Sequence, residues 1–453
     1  MTLPNYFLAD LPAEAALTAT LIAEACQTLR RNRQRYLANR STESLVNTLS
    51  NLAKDWLEPD YPFRQLALEQ GPGAIGFSRA TLSSGLDLFF KQFTQDNFLA
   101  LLEQDLGHCQ RLDQMCCAEP EKKSNRAAIA TAPELLVHVT AGNLPNPALF
   151  NIALGLLARA AQFVKCATGA SLLPRLFAHS LYEAEPKLGA CLEIAEWRGG
   201  NASPEMALFE QADCITATGS DETLASIRQR VPARTRFLGY GFRVSFAYVA
   251  SGVLSGLNAM NIAAQAAADI VAWNQLGCLS PHVIYVQQQG QVSPEQFAQL
   301  LAAELARREA VEPRGELPPE TSAAIASRRS LYQLRAAASP DTLHWFSENS
   351  TAWTVVYEAD PQFQLSCLNR FIYVKGVTDL TQALHSADSI RAKVSTVGLA
   401  APQDKTQQFA TELARWDVTR VCPIGQMQNP PLTWRHDGRP ALGDLVTWTD
   451  WEM

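Results

Sequence analysis

A single thiol on a turn is the first place in this chain where covalent chemistry can be sought. Residues 274–281 read Asn-Gln-Leu-Gly-Cys-Leu-Ser-Pro, which sets Cys278 between a small-residue helix, Ala263–Trp273, and an apolar strand, His282–Val286. Gly277 lets the backbone approach a substrate closely, and the flanking N–H groups can face a developing oxyanion. A Cys278 thiolate placed there would be a nucleophile. The same residue, taken alone, also suits burial as a small apolar side chain. His282 is four residues away, but as the first residue of a strand it is expected to point elsewhere than at the thiol.

The elements that must position this turn follow from periodicity. Residues 11–118 read mostly as helix, with apolar residues three and four apart in Ala13–Ala38, Ser41–Trp56, Ser83–Gln92 and Asp96–Cys109. The polar stretch 118–126 is a boundary. Short β runs then alternate with helices: strands at Leu135–Val139, Phe163–Cys166, Leu192–Trp197, Cys214–Ala217 and Arg236–Leu238, helices at 147–160, 171–183, 203–212 and 221–231. Such a β-α-β series predicts a mostly parallel, doubly wound sheet of the nucleotide-binding kind. A second α/β region starts near Ser245 and includes a helix over 256–273, Cys278, and strands near 282–286, 352–357 and 370–374. Within it Arg307–Pro319 reads as an exposed loop. Residues near 423–427 and 434–439 read as loops, and Leu445–Trp451 as a final strand. The expected division is a helical part over 1–125, a cofactor domain over 126–245, a catalytic domain over 246–430 and a terminal segment over 431–453.

Composition narrows the function classes. With 453 residues, 47% hydrophobic and 18% charged, the chain has the make-up of a compact enzyme of more than one domain. Its net charge of −7 gives no reason to expect nucleic acid as a partner, and the Arg30–Arg35 cluster reads as a solvated helix face. No apolar run is long enough for a membrane span, and the N-terminus does not look like a secretory leader. Ten scattered cysteines fit reduced thiols in a cytoplasm. His108, Cys109, Cys116 and Cys117 lack zinc-site spacing, so no metal is expected.

Four short motifs occur in order: Gly142-Asn-Leu-Pro145, Val164-Lys-Cys-Ala-Thr168, Thr218-Gly-Ser220 and Asn274-Gln-Leu-Gly-Cys278. The first three fall at strand ends, where open α/β sheets bind ligands. Together, and at these intervals, the four resemble the aldehyde dehydrogenase superfamily. The texts Val-His-Val-Thr-Ala-Gly-Asn-Leu-Pro (137–145), Phe-Leu-Gly-Tyr-Gly-Phe-Arg-Val-Ser-Phe (237–246) and Thr-Trp-Arg-His-Asp-Gly (433–438) are similar, more narrowly, to the acyl-CoA reductases of the bacterial luminescence fatty acid reductase complex.

The resemblance implies an α/β, aldehyde-dehydrogenase-like fold with a Rossmann-type cofactor domain. It implies NADPH-dependent reduction of a long-chain acyl thioester, on coenzyme A or acyl carrier protein, to an aldehyde. Cys278 is then the nucleophile, Asn143 the oxyanion donor, Lys165 the cofactor lysine, and Gly219-Ser220 the turn under the pyrophosphate. From the residues alone, Asn143 also suits a turn, Lys165 a strand-terminal surface lysine, and Ser220 with Asp221 a plain helix cap. Thr168 stands where NAD-preferring relatives carry glutamate, which favours NADPH because a hydroxyl can donate to a 2′-phosphate. His436 is a candidate for closing the substrate pocket, or equally a packing residue; His282 is a weaker candidate.

Two departures from the superfamily pattern bear on mechanism. Arg236–Phe242 holds no carboxylate to activate water, so a Cys278 thioester would hydrolyse slowly, which suits a reductase. Leu368-Asn-Arg-Phe371 replaces the Glu-x-Phe-Gly-Pro ribose motif. A homo-oligomer is expected through Leu445–Trp451 and a hairpin near 127–137, possibly a misnomer for a longer pairing, with an acyl-activating or aldehyde-using enzyme as a further partner. Other readings are a reductase or dehydrogenase of an acyl phosphate or semialdehyde, and an inactive acyl- or nucleotide-binding scaffold.

Overall fold

The computed structural model describes residues 3–12 and 14–452. Met1, Thr2, Ala13 and Met453 lie outside the described residues, and with them the expected start of the first helix at Ala13 and the first two residues of the N-terminal segment. The chain forms two compact units. One comprises the N-terminal residues to 75, 86–241 and 431 onward; the other comprises 76–85 and 242–430.

In the first unit, short runs of apolar residues bounded by polar turns become strands buried on both faces. After β1 (Arg126–Thr131) come β2 (Leu135–Val139), β3 (Ala161–Cys166), β4 (Leu192–Glu196), β5 (Cys214–Thr218) and β6 (Arg236–Tyr240). The last five form a parallel sheet in the order β4-β3-β2-β5-β6. Winding therefore reverses between β2 and β5, so the loops after these two strands flank the crevice where such sheets bind ligands. Val137, Phe163, Ala195 and Ile215 pack with Ile22, Cys26 and Leu29 of helix 19–32 and Leu208 and Phe209 of helix 202–211. Each such side chain contributes roughly 1.5–3 kcal/mol on burial. Polar fastening is confined to His138, whose ring nitrogens lie 2.7 Å from Thr216 Oγ1 and 3.0 Å from Gln162 Oε1. Gly155 makes room for Gln162: a Cβ there would sit 2.2 Å from its amide carbon.

The second unit holds β7 (Val244–Val249), β8 (Pro281–Gln287), β9 (Thr342–Phe346), β10 (Thr354–Glu358), β11 (Phe371–Val377), β12 (Val394–Ala400) and β13 (Arg420–Pro423). Their order is β13-β12-β7-β8-β11-β10-β9, parallel except for β9. Alternate residues serve opposite faces, as the two-residue period of a strand requires. Ala247, Val249, Ile284 and Val286 meet helices 256–271 and 294–311. Phe246, Tyr248, Tyr285 and Tyr373 meet Ile325 and Tyr332 of helix 319–338 and Leu413 of helix 403–415.

The α/β architecture expected from the sequence is the one observed, with three local corrections. Arg307–Pro319 is not one loop: helix 294–311 runs through Val311, and only 312–318 links it to the next helix, which Pro319 opens. Its charges pair along the helix, Arg307 and Arg308 with Glu304, and proline in a first turn loses no hydrogen bond. Residues 127–137 are not a hairpin. Instead β1 pairs antiparallel with β14 (Thr447–Glu452), from Arg126 opposite Glu452 to Thr131 opposite Thr447, while β2 is a central parallel strand. Finally, the first helix spans Ala19–Asn32 and continues as a wider π turn over Arg33–Leu37.

Candidate active site

The first unit carries Asn143, Lys165, Thr168, Gly219, Ser220 and His436; the second carries Cys278 and His282. Asn143 is exposed on the loop between β2 and helix 146–157. The start of that loop is tied to the cofactor lysine candidate, since Thr140 N–H donates to Lys165 O at 3.0 Å. Lys165 itself is buried, with Nζ 5.8 Å from the centre of the Trp197 ring. Burial lowers its ammonium pKa, opposed by the charges of Glu205 and Glu196.

Thr168 is exposed on the loop after β3. The loop backbone is gripped by a residue that sequence reasoning missed: Glu196, at the end of β4, accepts from Gly169 N–H at 2.8 Å and Ser171 N–H at 3.2 Å. Arg198, two residues on, is exposed at the neighbouring strand end and was also missed. Its signal was its place just after an apolar run.

The Gly219-Ser220 turn begins helix 221–230. Ser220 Oγ accepts from Thr223 N–H at 3.2 Å, the usual N-cap bond. Gly219 N–H is already given to Tyr240 O at 3.2 Å, and Asp221 and Glu222 occupy the first helical turn. The positive helix end is thus partly offset from within. Tyr240 also joins this turn to the C-terminal loop: its ring stacks on His436 at 4.6 Å, His436 lies 4.7 Å from Trp434, and the Arg439 guanidinium covers the other aromatic surface of Tyr240 at 4.4 Å. His436 is therefore a packed member of an aromatic column.

In the second unit, helix 256–271 passes into a tight turn in which Trp273, Asn274 and Gln275 all take left-handed backbone angles, φ 51, 51 and 64. Such conformations are costly for residues with side chains, and persist where surroundings fix them. Asn274 Nδ2 donates to Arg314 O at 2.8 Å, and Gln275 Nε2 to Pro281 O at 2.7 Å and Phe371 O at 2.9 Å. Trp273 packs over Gly85, where a Cβ would lie 2.2 Å from the indole. Beyond the turn Cys278 is half-buried, and Ser245 Oγ donates to its carbonyl at 2.7 Å. Cys278 thus lies at the N-terminal edge of the sheet, just before β8 and beside the start of β7.

His282 is buried, its Nδ1 accepting from Ser366 N–H at 3.1 Å, and burial pushes its pKa down to about 4. The ring is a neutral imidazole held by the 363–366 segment. Leu368, Asn369 and Arg370 form a second left-handed run, φ 58, 53 and 67, locked by Arg370 Nη1 bonds to Glu309 and to Glu312 O. Among the described residues, no group of three or more His, Cys, Asp or Glu side chains could hold a metal ion, and no helix is long and apolar enough to cross a membrane.

Residues 37–448 match the acyl-CoA reductase family LuxC. No curated protein matches. Among solved structures, the bifunctional proline utilization A protein superposes with a TM-score of 0.72 at 15% identity, covering 98% of this chain and 46% of that one. A proline utilization A variant from Bradyrhizobium japonicum gives 0.72 at 15% identity, with 96% and 45% covered. A NAD-dependent benzaldehyde dehydrogenase from Corynebacterium glutamicum gives 0.69 at 13% identity, with 99% and 94% covered. The chain spans less than half the length of the proline utilization A proteins. At these identities the likeness establishes the fold, that of the aldehyde dehydrogenases.

Proposed function

In a chain that belongs to the LuxC acyl-CoA reductase family, we propose that Cys278 takes the acyl group of a long-chain acyl-CoA, or of the same chain on acyl carrier protein, as an enzyme thioester that is then reduced to the aldehyde with NADPH. The observation that carries this reading is the half-buried thiol held on a rigidly fastened turn. The Cys278 sulfur forms a bond to the acyl carbon while the bond to the carrier sulfur breaks, a near-neutral exchange between like groups. Asn143 and the Cys278 N–H are assigned to the oxyanion, each donor contributing about 3 kcal/mol to the transition state.

The residues at the ends of β2 to β5 fit a nicotinamide dinucleotide phosphate by donor chemistry. Lys165, the Thr168 hydroxyl and exposed Arg198 are cationic or donating, and the carboxylate nearest the Thr168 loop, Glu196, is engaged by backbone N–H groups. Bound NADPH supplies the hydride. Ser220 and the start of helix 221–230 are assigned to its pyrophosphate, with Gly219 fixing the turn through Tyr240. Residues 126–245 then serve the cofactor and 246–430 the acyl chemistry, with 1–125 packed on the former. His436 shapes the acyl site through its column, and His282 serves as a supporting residue. A cytoplasmic homo-oligomer associating through 431–453, fed by an acyl-activating enzyme or emptied by an aldehyde-using one, completes the reading.

Acyl-CoA added without cofactor should release one equivalent of coenzyme A and add the acyl mass to the Cys278 peptide. NADPH, better than NADH, should then release aldehyde, and Cys278→Ala should do neither. A folded protein that never acylates at Cys278 would remove this reading in favour of acyl phosphates or a binding scaffold.

A further inference from the structure

We propose that the Arg420 guanidinium is the charge that holds the Cys278 sulfur as a thiolate, and that Asp269 and the 424–428 turn serve to fix that guanidinium in place. The inference rests on Cys278 being the nucleophile. An ordinary thiol, with a pKa near 8.5, is only a few per cent thiolate at neutral pH, and acyl exchange needs the thiolate. Neither a carboxylate in 236–242 nor the neutral, Ser366-bound His282 supplies a base. A fixed positive charge meets the need without accepting the proton, which leaves to solvent.

Strand register brings Arg420 to the thiol's end of the sheet. Arg420 is in register with Thr396 of β12, and Thr396 with Ser245 of β7. Thr396 N–H donates to Ser245 Oγ at 3.1 Å, and Ser245 Oγ to Cys278 O. Register partners share a face, so Arg420 and Ser245 project to one side, and the Arg420 and Cys278 charges interact. The guanidinium is 9% exposed and pinned: Nη1 donates to Met427 O and Nη2 to Gln426 O, both at 2.7 Å.

The turn that receives it is built to stay put. Buried Asp269, on helix 256–271, accepts from Gly425 and Met427 N–H, so one carboxyl holds the donors of the turn while Arg420 holds its acceptors. Gly425, at φ 88, packs against Gln265, and Gln428 Nε2 returns to Ser280 Oγ at 2.8 Å, two residues from the thiol. The ionisable groups facing this corner are Arg420 and Cys422 from β13, Asp269 from the helix and His282 from β8. Burial pushes Asp269 up to about 7 and the Cys422 thiol up to about 11, and leaves His282 neutral. Arg420 is then the cation of this set, and its guanidinium stays charged when desolvated as an ammonium would not.

The test is the pH dependence of Cys278 alkylation by iodoacetamide in the full chain, read on the Cys278 peptide by mass spectrometry. The wild type should show a midpoint about one unit or more below the ordinary thiol value. Arg420→Gln should raise it by about one unit or more, and Arg420→Lys should recover part of the fall. Gln428→Leu, which cuts the tie to Ser280 but leaves the guanidinium, should not move it. An ordinary midpoint in the wild type overturns the proposal without any variant, as does an unmoved midpoint in an Arg420→Gln protein folded by circular dichroism. A Gln428→Leu shift as large as that of Arg420→Gln also overturns it, because turn geometry would then be the cause. Acyl-CoA labelling in parallel separates the two ideas: a low midpoint without acylation removes the proposed reaction and leaves Arg420's effect on the thiol standing.

Discussion

Cofactor choice is decided by a few side chains at adjacent strand ends. Thr168 offers a hydroxyl on the loop after β3, Arg198 a guanidinium after β4, and Glu196 between them is occupied by the Gly169 and Ser171 N–H groups. Thr168→Glu would place a second, untied carboxylate there. The expected result is a fall of about tenfold or more in kcat/KM for NADPH, roughly 1.4 kcal/mol, with NADH use retained. Arg198→Ala should raise the KM for NADPH by about the same factor and leave that for NADH alone. Steady-state kinetics with both cofactors check both variants; equal losses for the two cofactors would mean that neither side chain faces the 2′-phosphate.

Among elements, the parallel strands were legible because each is a short apolar run closed by a turn, and β2 was read to the residue. The Cys278 turn was legible as a position but not as a conformation. Left-handed backbone at Trp273, Asn274 and Gln275 has no mark in the text, since it is imposed by carbonyls of Arg314, Pro281 and Phe371 that lie far along the chain. The same distance hid β1, a weak run whose partner is the terminal strand, and Arg420, whose meaning depends on register with Thr396. Gln275 makes the dependence testable. Gln275→Leu would leave the buried carbonyls of Pro281 and Phe371 without that donor, at about 1–3 kcal/mol each. A lowered urea midpoint should accompany slower acylation of Cys278, and normal acylation in a destabilised variant would show that the turn keeps its shape without Gln275.

At the scale of the whole molecule, each unit buries one histidine and one carboxyl away from water, which ties stability to pH. Burial holds His138 and His282 down to about 4, and raises Glu193 to about 8 and Asp269 to about 7. The histidines are depressed below their unfolded value near 6.5, so on acidification through that value the unfolded chain takes up protons that the native one refuses, and stability is lost toward pH 4. The carboxyls behave in the opposite sense. Their native values lie above the unfolded ones near 4, so their contribution is full below the unfolded values and is lost as pH rises through 7 and 8. Above about 6.5 the histidines are neutral in both states and add no slope, leaving the carboxyls to act alone. Glu193→Gln keeps shape while removing the titration. Between pH 6 and 8 it should therefore gain on the wild type by about 2 kcal/mol, seen by calorimetry as a melting temperature that falls less steeply with pH. Parallel melting curves for the two proteins across that range would mean that Glu193 is already ionised in the native state, and that its bonds to the Leu8 and Ile194 N–H groups outweigh its burial.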